Sequence, residues 1–490
     1  MNTENLSCDL VIIGGGGSGL VAAVRAREMG VKDVVVLEKA SRTGGNAWLA
    51  VVMFGLGFTS DKPADLQASI DDAFKTTMES GNWLIDARIV RTYLEKNPEV
   101  VKWLKDKGIN FVTGGFELQG KKFQVLRMPT RQGGYRAKDP SRGPGFVGGT
   151  VVEAMHKECQ RLGIKILTRT KANKILLDGP GFKASGVLAS GPDKEYRINA
   201  KSVIIAAGGF GANDKMLRKY FPKYFEIDGP INTLCTRFST GDGITMAEEL
   251  GALIGEDMDA GIIGPGHHPW AYSVHETMLR PECIWVNKNG ERFIDECASM
   301  MAGAALNKQP GAVLYALLDA DIKRYIQENP NERQIAMGGL DWFATLDEDL
   351  EKEAARGKKV KIAQSWDEIA SFIGVKPEVL KATVDRYNKF CDEGRDADFV
   401  KDRSFLLPLR TPPFYAILAV RFCHGTAGGI RINHRMEVIR RDGNIISGLY
   451  ASGDNTSGWV TEWHIPGTTL AWAFTSGYMA GENAARYVLR

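Results

Sequence analysis

The sequence has few cysteines, little net charge and no long apolar run, and each shortage argues against a class of protein. Its seven cysteines are widely spaced and form no C-x-x-C pair, which disfavours a disulfide framework, a zinc knuckle or an attached haem. The 62 basic residues nearly balance the 59 acidic ones, so neither nucleic acid nor membrane insertion is expected. No apolar stretch reaches the ~18 residues of a membrane span, and no signal peptide is recognisable. We expect a cytoplasmic protein with reduced thiols and no metal site.

The beginning of the chain carries the pattern of a dinucleotide site. An apolar run of strand length is followed by Gly-Gly-Gly-Gly-Ser-Gly at 14–19 and then by an Ala-rich, helix-prone stretch. In this G-x-G-x-x-G pattern, Gly14 allows a tight turn, Gly16 lets the backbone approach a pyrophosphate, and Gly19 lets helix and strand pack closely. A second apolar run ends in Glu38, near the ~20-residue offset of the acid that binds a ribose hydroxyl.

Three later segments favour FAD over NAD. A polar, glycine-containing loop occupies 39–46, an apolar run at 201–210 ends in a glycine pair, and 448–454 has the same shape and ends in an acid. From residue 9 to its end, the chain resembles the flavoprotein family of fumarate reductases and succinate dehydrogenases, which also holds urocanate reductases and 3-ketosteroid 1-dehydrogenases. Further motifs that carry the resemblance, in the same order, are those at 240–243, 290–296, 426–429 and 477–481.

The resemblance implies a non-covalent FAD site. Glu38 would hold the adenosine ribose and Asp454 a ribityl hydroxyl, while the last helix would open at Gly467 with its N-terminus toward the flavin pyrimidine, where reduced flavin is negative. No histidine occurs at 44–50, where succinate dehydrogenases link the flavin covalently. The predicted FAD-binding residues are Gly14, Gly16, Gly17, Ser18, Gly19, Glu38, Lys39, Thr43, Gly44, Gly45, Asn46, Ala172, Ala207, Gly208, Gly209, Asp242, Gly453, Asp454, Gly467, Thr468 and Leu470.

The resemblance also implies an α/β fold, in which a split Rossmann-type FAD-binding domain is interrupted by an α+β cap that closes over the substrate. We place the first FAD-binding segment at 1–258, the cap at 259–407 and the returning segment at 408–490. Two consecutive prolines at 412 and 413 break helix and support a boundary near the end of the cap.

The substrate side departs from the family pattern. Fumarate reductases hold a dianion with arginines and histidines, and they use an arginine as proton donor. Here Met300 stands at the place of the catalytic arginine and His464 at the place of a carboxylate-clamping arginine, whereas His424 keeps a fumarate-type partner. Each charged hydrogen bond to a carboxylate is worth roughly 1.5–3 kcal/mol. We therefore expect poor or no fumarate reduction.

Aromatic residues occur beside these positions and suit a flat, largely uncharged substrate such as a steroid, an isoflavonoid or an aryl enone. Trp459 and Trp463 flank the loop that carries His464, and core packing is the alternative role for each tryptophan. The catalytic candidates, which would polarise the substrate or supply a proton, are His464, His424 and, as a weaker acid, Tyr272. A hydrogen-bonded structural role is the alternative for both histidines. The further substrate-lining candidates are His267, His268 and Met300, where either histidine could also be merely solvated.

The expected reaction is hydride transfer from flavin N5 to an activated double bond of a small cyclic or aromatic substrate, with an electron donor or acceptor that the sequence does not identify. Two alternatives stay open. One is the reverse reaction, a dehydrogenation of the 3-ketosteroid 1-dehydrogenase type. The other is a flavin-bearing electron-transfer subunit without a substrate of its own.

Overall fold

A computed structural model of the chain describes residues 2–57, 63–118, 121–128, 147–179, 182–255, 261–267, 272–331, 343–460 and 464–490. Its strands are β1 (Thr3–Ile13), β2 (Val34–Leu37), β3 (Met53–Phe54), β4 (Val112–Leu118), β5 (Lys121–Arg127), β6 (Lys165–Leu167), β7 (Lys171–Asp178), β8 (Lys183–Ser190), β9 (Glu195–Ile205), β10 (Ile231–Thr233), β11 (Gly261–Gly266), β12 (Ile284–Val286), β13 (Val313–Leu318), β14 (Val360–Ala363), β15 (Phe414–Thr426), β16 (Glu437–Ile439) and β17 (Ile445–Ala451). Its α-helices are α1 (Gly17–Glu28), α2 (Pro63–Ser80), α3 (Ala87–Asp106), α4 (Val147–Arg161), α5 (Asp214–Tyr220), α6 (Asp242–Glu249), α7 (Tyr272–Met278), α8 (Ala302–Leu306), α9 (Ala320–Glu328), α10 (Leu346–Ala355), α11 (Trp366–Ile373), α12 (Pro377–Glu393) and α13 (Thr468–Val488).

The main sheet has a parallel centre that both ends of the chain complete. Its strand order is β16, β17, β8, β9, β1, β2 and β6, with β7 beside β8. Strand β1 lies parallel to both β2 and β9, and its last four residues are buried, as expected for a parallel strand covered on both faces. Strand β17 returns near the end of the chain and pairs in parallel with the last residues of β9, with Ala451 opposite Ile205. The predicted α/β fold class is confirmed.

Helices α1 and α13 hold the two ends of the chain together through direct backbone contact. A Cβ atom added at Gly477 would stand 2.4 Å from the Ser18 carbonyl oxygen, and one added at Gly481 would stand 2.4 Å from that of Ala22. Only glycine permits this approach, because any side chain at either position would force the helices apart. The glycines of the 477–481 motif therefore fix the position of the last helix against the first.

A second sheet lies in the middle of the chain, around the long strand β15. This strand pairs with β10, β11, β13 and β14, and β12 extends the sheet beyond β13. Ala419 of β15 belongs to the hydrophobic core of this second sheet, whereas Cys423 belongs to the core of the main sheet. One strand thus spans both cores and connects them rigidly.

The second sheet is wider than the predicted cap. Strands β10 and β15 lie before and after the predicted range 259–407, yet both pair within this sheet, and β15 is its central strand. The prolines at 412 and 413 lie directly before β15, so the chain continues in the second sheet beyond the predicted end of the cap. The boundary predicted near 258 falls outside the described residues, so the domain limits stay a prediction.

The helices lack a membrane-spanning segment as far as the structure describes them. None of these helices is both long enough and apolar enough to cross a bilayer.

Replacing Gly481 by alanine should destabilise the fold, although the same change in an open helix is stabilising. The added methyl group would stand 2.4 Å from the Ala22 carbonyl oxygen, so the helices must separate, and we expect a loss of about 1–3 kcal/mol in the free energy of unfolding. Gly149→Ala in α4 is the matched control, because the nearest atom, the Trp48 carbonyl oxygen, lies 3.5 Å away. Urea unfolding followed by circular dichroism measures both variants. Equal midpoints for G481A and G149A would contradict the proposed helix contact.

Candidate FAD and substrate site

The turn between β1 and α1 combines two tight contacts with one open position. Gly14 has a φ of +109°, and a Cβ atom there would stand 2.2 Å from the Ala206 carbonyl oxygen. A Cβ atom at Gly19 would stand 1.9 Å from the carbonyl oxygen of Gly14. At Gly16, by contrast, the nearest atom would be 3.9 Å away, the Gly44 carbonyl oxygen. The backbone at Gly16 therefore faces open space at the N-terminus of α1, where an anion is favoured.

Glu38 closes one end of this space as a buried, oriented carboxylate. Its oxygens accept hydrogen bonds from the backbone N–H groups of Gly15 at 3.0 Å and Ala40 at 2.7 Å. Burial raises the pKa of Glu38, and the two backbone N–H groups partly offset that effect. This carboxylate is held at the end of β2, where the sequence pattern places the acid that binds a ribose.

Asp454 lies at the other end, on the returning segment just after β17. Burial raises its pKa to about 6. The segment before it is fastened to the first glycine turn, because the Ser452 and Ser18 hydroxyl oxygens lie 2.7 Å apart. The Gly453 N–H also donates to the Ser476 hydroxyl of α13 at 2.9 Å. Two regions far apart in sequence therefore form one site.

The loop after Glu38 is fastened to residues near the start of α6. The Lys39 ammonium lies 2.7 Å from an Asp242 carboxylate oxygen. The Asn46 side-chain oxygen accepts hydrogen bonds from the Thr236 N–H at 2.8 Å and the Ser239 hydroxyl at 3.1 Å. These contacts hold both ends of the 39–46 loop and fix it as a wall of the site.

A cavity runs between these groups, and most of the predicted FAD-binding residues line it. They are Gly14, Gly16, Gly17, Ser18, Glu38, Lys39, Gly44, Gly45, Asn46, Ala172, Ala207, Gly208, Asp242, Gly453 and Asp454. The lining residues outside the predicted set are Ile13, Leu37, Ala47, Thr170, Lys171, Ala206, Thr236, Phe238, Ser239, Met246, Ser452 and Ala473. Some of these adjoin predicted residues in sequence, but 236–239 reach the wall only through tertiary contacts.

The predicted FAD-binding residues that do not line the cavity, as the described residues delimit it, are Gly19, Thr43, Gly209, Gly467, Thr468 and Leu470. Thr468 and Leu470 are buried in the first turn of α13. Gly467, which precedes this turn, has a φ of +81° and accepts a hydrogen bond from the Phe54 N–H at 3.0 Å. Thr43 pairs instead with His156 of α4, at 3.1 Å. The role of the α13 N-terminus at the flavin pyrimidine stays a prediction.

Two of the catalytic candidates are described with their side chains. His424 is exposed on β15, two residues before Thr426, whose hydroxyl accepts a hydrogen bond from the Phe210 N–H of the main domain at 3.1 Å. This places His424 at the junction of the second sheet and the FAD-binding domain. His464 is partly buried, and it precedes Gly467 at the start of α13 by three residues.

The remaining candidates fall into two groups. His268 and Trp463 lie outside the described residues, and the side chains of Tyr272 and Met300 lie outside them too. His267 and Trp459 are described and are enclosed by protein. The His267 ring is completely buried, with Nδ1 3.0 Å from the Leu418 carbonyl oxygen and Nε2 3.5 Å from Glu353.

His267 and Trp459 are both enclosed by protein, and their role in lining the substrate stays a prediction. The His267 ring lies between β15 and α10. Trp459 is 2% exposed and stacks on Trp472, with ring centroids 5.0 Å apart. Its indole N–H donates to the Thr456 carbonyl oxygen at 3.1 Å. Core packing, the alternative role for this tryptophan, accounts for all of these contacts.

The glycine turn, the buried acid after β2 and the returning strand define a dinucleotide-binding α/β protein of the Rossmann type. A family model described as "FAD binding domain" matches residues 9–466, and the chain belongs to this family. The predicted relation to the fumarate reductase flavoproteins is confirmed, as is FAD as the cofactor. The chain is therefore an FAD-dependent oxidoreductase.

Relatives of known name cover nearly the whole chain. It is 30% identical to the NADH:acrylate oxidoreductase of Vibrio harveyi over 98% of its own length, but it spans only 50% of that protein. It is 27% identical to the vinyl phenol reductase of Lactiplantibacillus plantarum, over 98% of this chain and 97% of that one. The open conformation of a flavocytochrome c3 fumarate reductase shares the fold, with a TM-score of 0.77 at 24% identity, over 99% of this chain and 79% of that one.

The residues of the cavity fit FAD. The open backbone at Gly16 and the N-terminus of α1 suit the pyrophosphate, and the acids Glu38 and Asp454 suit hydroxyl groups on either side of it. The Gly208 position, with a φ of +74°, has no atom within 4 Å of an added Cβ, so it also leaves room along the wall.

Replacing Gly16 by valine should weaken FAD binding without unfolding the protein. Gly16 has a φ of −75°, which any residue adopts, and the added side chain meets open space in the protein itself but enters the pyrophosphate position. We expect FAD affinity to fall at least roughly tenfold, which corresponds to about 1.4 kcal/mol. The ratio of flavin absorbance to protein measures this loss. Gly115→Val is the control, because Gly115 in β4 is also open and remote from the cavity.

FAD affinity should fall as the pH is lowered through about 6, the pKa of Asp454 without cofactor. An FAD hydroxyl that donates to the carboxylate stabilises its ionised form, so the cofactor must bind less tightly once Asp454 is protonated. Titration of the apoprotein with FAD between pH 5 and pH 7.5, followed by flavin fluorescence, measures this dependence. Asp454→Asn should remove it. An equal pH dependence in wild type and D454N would contradict the role of this carboxylate.

Proposed function

We propose that this chain is a reductase that adds hydride to an activated C=C bond of a small, largely uncharged cyclic or aromatic substrate. When bound, reduced FAD supplies the hydride at N5. The protein binds the substrate against that edge of the flavin, polarises it and supplies a proton. Closure of the cap over the substrate excludes water.

The strongest support is that two buried arginines of the substrate-side segments are engaged by the protein itself. Arg292 donates to Glu296 at 3.0 and 2.9 Å and to Asp396 at 2.9 Å. These groups are 0–5% exposed. An arginine held in this way is not available to a substrate carboxylate. Moving Arg292 away would remove the cation that offsets the buried charges of Glu296 and Asp396, which is costly.

Arg421 of β15 is engaged as well, although by neutral groups. Its guanidinium donates to the backbone carbonyls of Tyr224, Ile227 and Gly229, and its side chain is 1% exposed. Desolvation lowers the pKa of Arg421. The arginine therefore fastens the 224–229 segment to β15 rather than facing a ligand.

The sequence at the family's two substrate-arginine positions points the same way. Met300 and His464 occupy those positions, and a dianion bound in a dry site needs cations that neither residue permanently provides. The relative from Lactiplantibacillus plantarum, aligned over almost its whole length, is named for the reduction of a vinyl phenol, an uncharged aromatic compound with a C=C bond. That name supports the same substrate class for this chain.

His464 and His424 are the proposed polarising and proton-donating residues. His464 lies three residues before the first turn of α13, whose start the resemblance places at the flavin. Its Nδ1 atom is buried, so Nε2 is the ring nitrogen that would give the proton. His424 lies on β15 two residues before Thr426, which contacts the main domain, and we propose that it acts from the cap side.

An acceptor screen tests the proposed substrate class. The flavin is reduced anaerobically with light and a sacrificial donor, and its reoxidation is followed at the flavin absorbance after addition of a vinyl phenol, an aryl enone, acrylate or fumarate. We expect the uncharged aryl compounds to reoxidise it at least about 100-fold faster than fumarate, the equivalent of ~2.7 kcal/mol in activation free energy. Faster reoxidation by fumarate would refute the proposal. Turnover of a saturated cyclic ketone with an artificial acceptor, without reoxidation by the enone, would assign the dehydrogenase direction instead.

His464→Ala should slow substrate reduction by about 10²–10⁴-fold, the usual contribution of a general acid, while the FAD content stays unchanged. His434→Ala is the control, since His434 lies in the turn before β16 and has no proposed role. Stopped-flow reoxidation of the reduced flavin by the best acceptor measures the effect for both variants. An unchanged rate in H464A would remove this residue from the mechanism.

A further inference from the structure

Two cysteines that are far apart in sequence, Cys235 and Cys423, meet where β10 pairs with β15. Thr233 lies opposite Cys423 in the parallel register, and the Leu234 N–H donates to the Cys423 carbonyl oxygen at 2.9 Å. The Cys423 thiol donates to the Gly425 carbonyl oxygen at 3.2 Å, and the Cys235 thiol interacts with the Cys423 thiol. A Cβ atom at Gly211 would stand 2.4 Å from the Cys235 sulfur and 3.2 Å from that of Cys423, so the glycine leaves room for both thiols.

The two thiols differ in acidity. The pKa of Cys235 is lowered, chiefly by its hydrogen bond with Cys423, and the pKa of Cys423 is raised well above its ordinary value by the same contact and by burial. Burial by itself raises a thiol pKa: at Cys159, where burial is the largest cause, the pKa rises to about 12. The pair thus consists of one thiol that loses its proton more readily than its partner, which suits an attacking and a resolving cysteine.

The pair lies directly behind the wall of the FAD cavity. The Cys235 thiol hydrogen-bonds with the side chain of Asn46, and the Asp454 carboxylate acts electrostatically on it. Both Asn46 and Asp454 line the cavity, and so does Thr236, the residue that follows Cys235. Cys235 is 8% exposed and Cys423 is fully buried. A small oxidant is therefore needed to reach them.

We propose that Cys235 and Cys423 form a peroxide-reactive thiol pair that closes to a disulfide beside the FAD cavity. The Cys235 thiol loses its proton and its sulfur attacks one oxygen of hydrogen peroxide. The O–O bond breaks, the departing hydroxide takes up that proton and leaves as water, and Cys235 becomes the sulfenic acid. The Cys423 thiol then attacks the Cys235 sulfur, an S–S bond forms, and a second water leaves. In total, the two thiols give up two electrons and two protons, and one peroxide becomes two water molecules.

Closing the disulfide should also weaken FAD binding. The Cys235 thiol and the Thr236 N–H both contact Asn46, so a shift of Cys235 toward Cys423 displaces a side chain of the cavity wall. We expect the dissociation constant of FAD to rise severalfold on oxidation and to return after treatment with a dithiol reductant.

Peptide mapping of the wild-type holoenzyme tests the pair directly. The protein is treated with a slight excess of hydrogen peroxide, denatured in the presence of an alkylating agent and digested without reductant. We expect a peptide pair linked through Cys235 and Cys423, and full alkylation of the buried Cys159 and Cys283, which serve as matched controls. In Cys423→Ser the reaction should stop at a Cys235 sulfenic acid that a cyclic 1,3-dione traps.

Full alkylation of both Cys235 and Cys423 after peroxide doses that oxidise the exposed Cys297 would overturn the proposal. Oxidation of Cys235 to the sulfinic acid in wild-type protein, without a link to Cys423, would overturn it as well. Both results are read from the wild-type chain, so the test does not depend on whether a serine variant folds.

Discussion

Contact between backbones at glycine positions is the constraint on which the flavin site depends. The last strand of the main sheet, β17, lies beside β9 while the following helix α13 packs against α1, and Gly477 and Gly481 let these helices touch. That packing brings Ser452 to Ser18 and Asp454 to the cavity that begins at Gly16. Without it, the two halves of the site would belong to separate parts of the chain.

The two carboxylates of the FAD cavity, Glu38 and Asp454, have different surroundings, and the buried arginine of the second sheet differs again. Glu38 is buried and accepts hydrogen bonds from two backbone N–H groups. Burial raises the pKa of Asp454 to about 6, so a hydrogen bond from an FAD hydroxyl would stabilise its ionised form. In the segments between the strands of the second sheet, Arg292, Glu296, Asp396 and Lys401 form an almost fully buried ion network. The network anchors the segment that leads to Met300, and its cations are engaged within the protein. This arrangement supports the proposal of an uncharged substrate.

The parts of the fold and site that the sequence predicts are those with a local pattern. The turn at 14–19, the acid Glu38 and the strand that ends at Asp454 are recognised because glycines and acids at strand ends have a fixed spacing. The Cys235–Cys423 contact has no such signal, since it arises from the pairing of β10 with β15. A tryptophan in the sequence is equally compatible with core packing and with substrate binding, so the sequence alone does not separate these two roles for Trp459.

The limits of the cap stay a prediction, because β15 contributes residues to two hydrophobic cores in one continuous strand. The central claim, however, concerns the cofactor: two distant segments cradle one dissociable FAD. Calorimetric titration of the deflavinated protein with FAD tests it most directly. The account predicts binding of one FAD per chain and release of all flavin into the supernatant on acid denaturation. A protein that takes up no FAD, or flavin that stays with the precipitated chain, would contradict it.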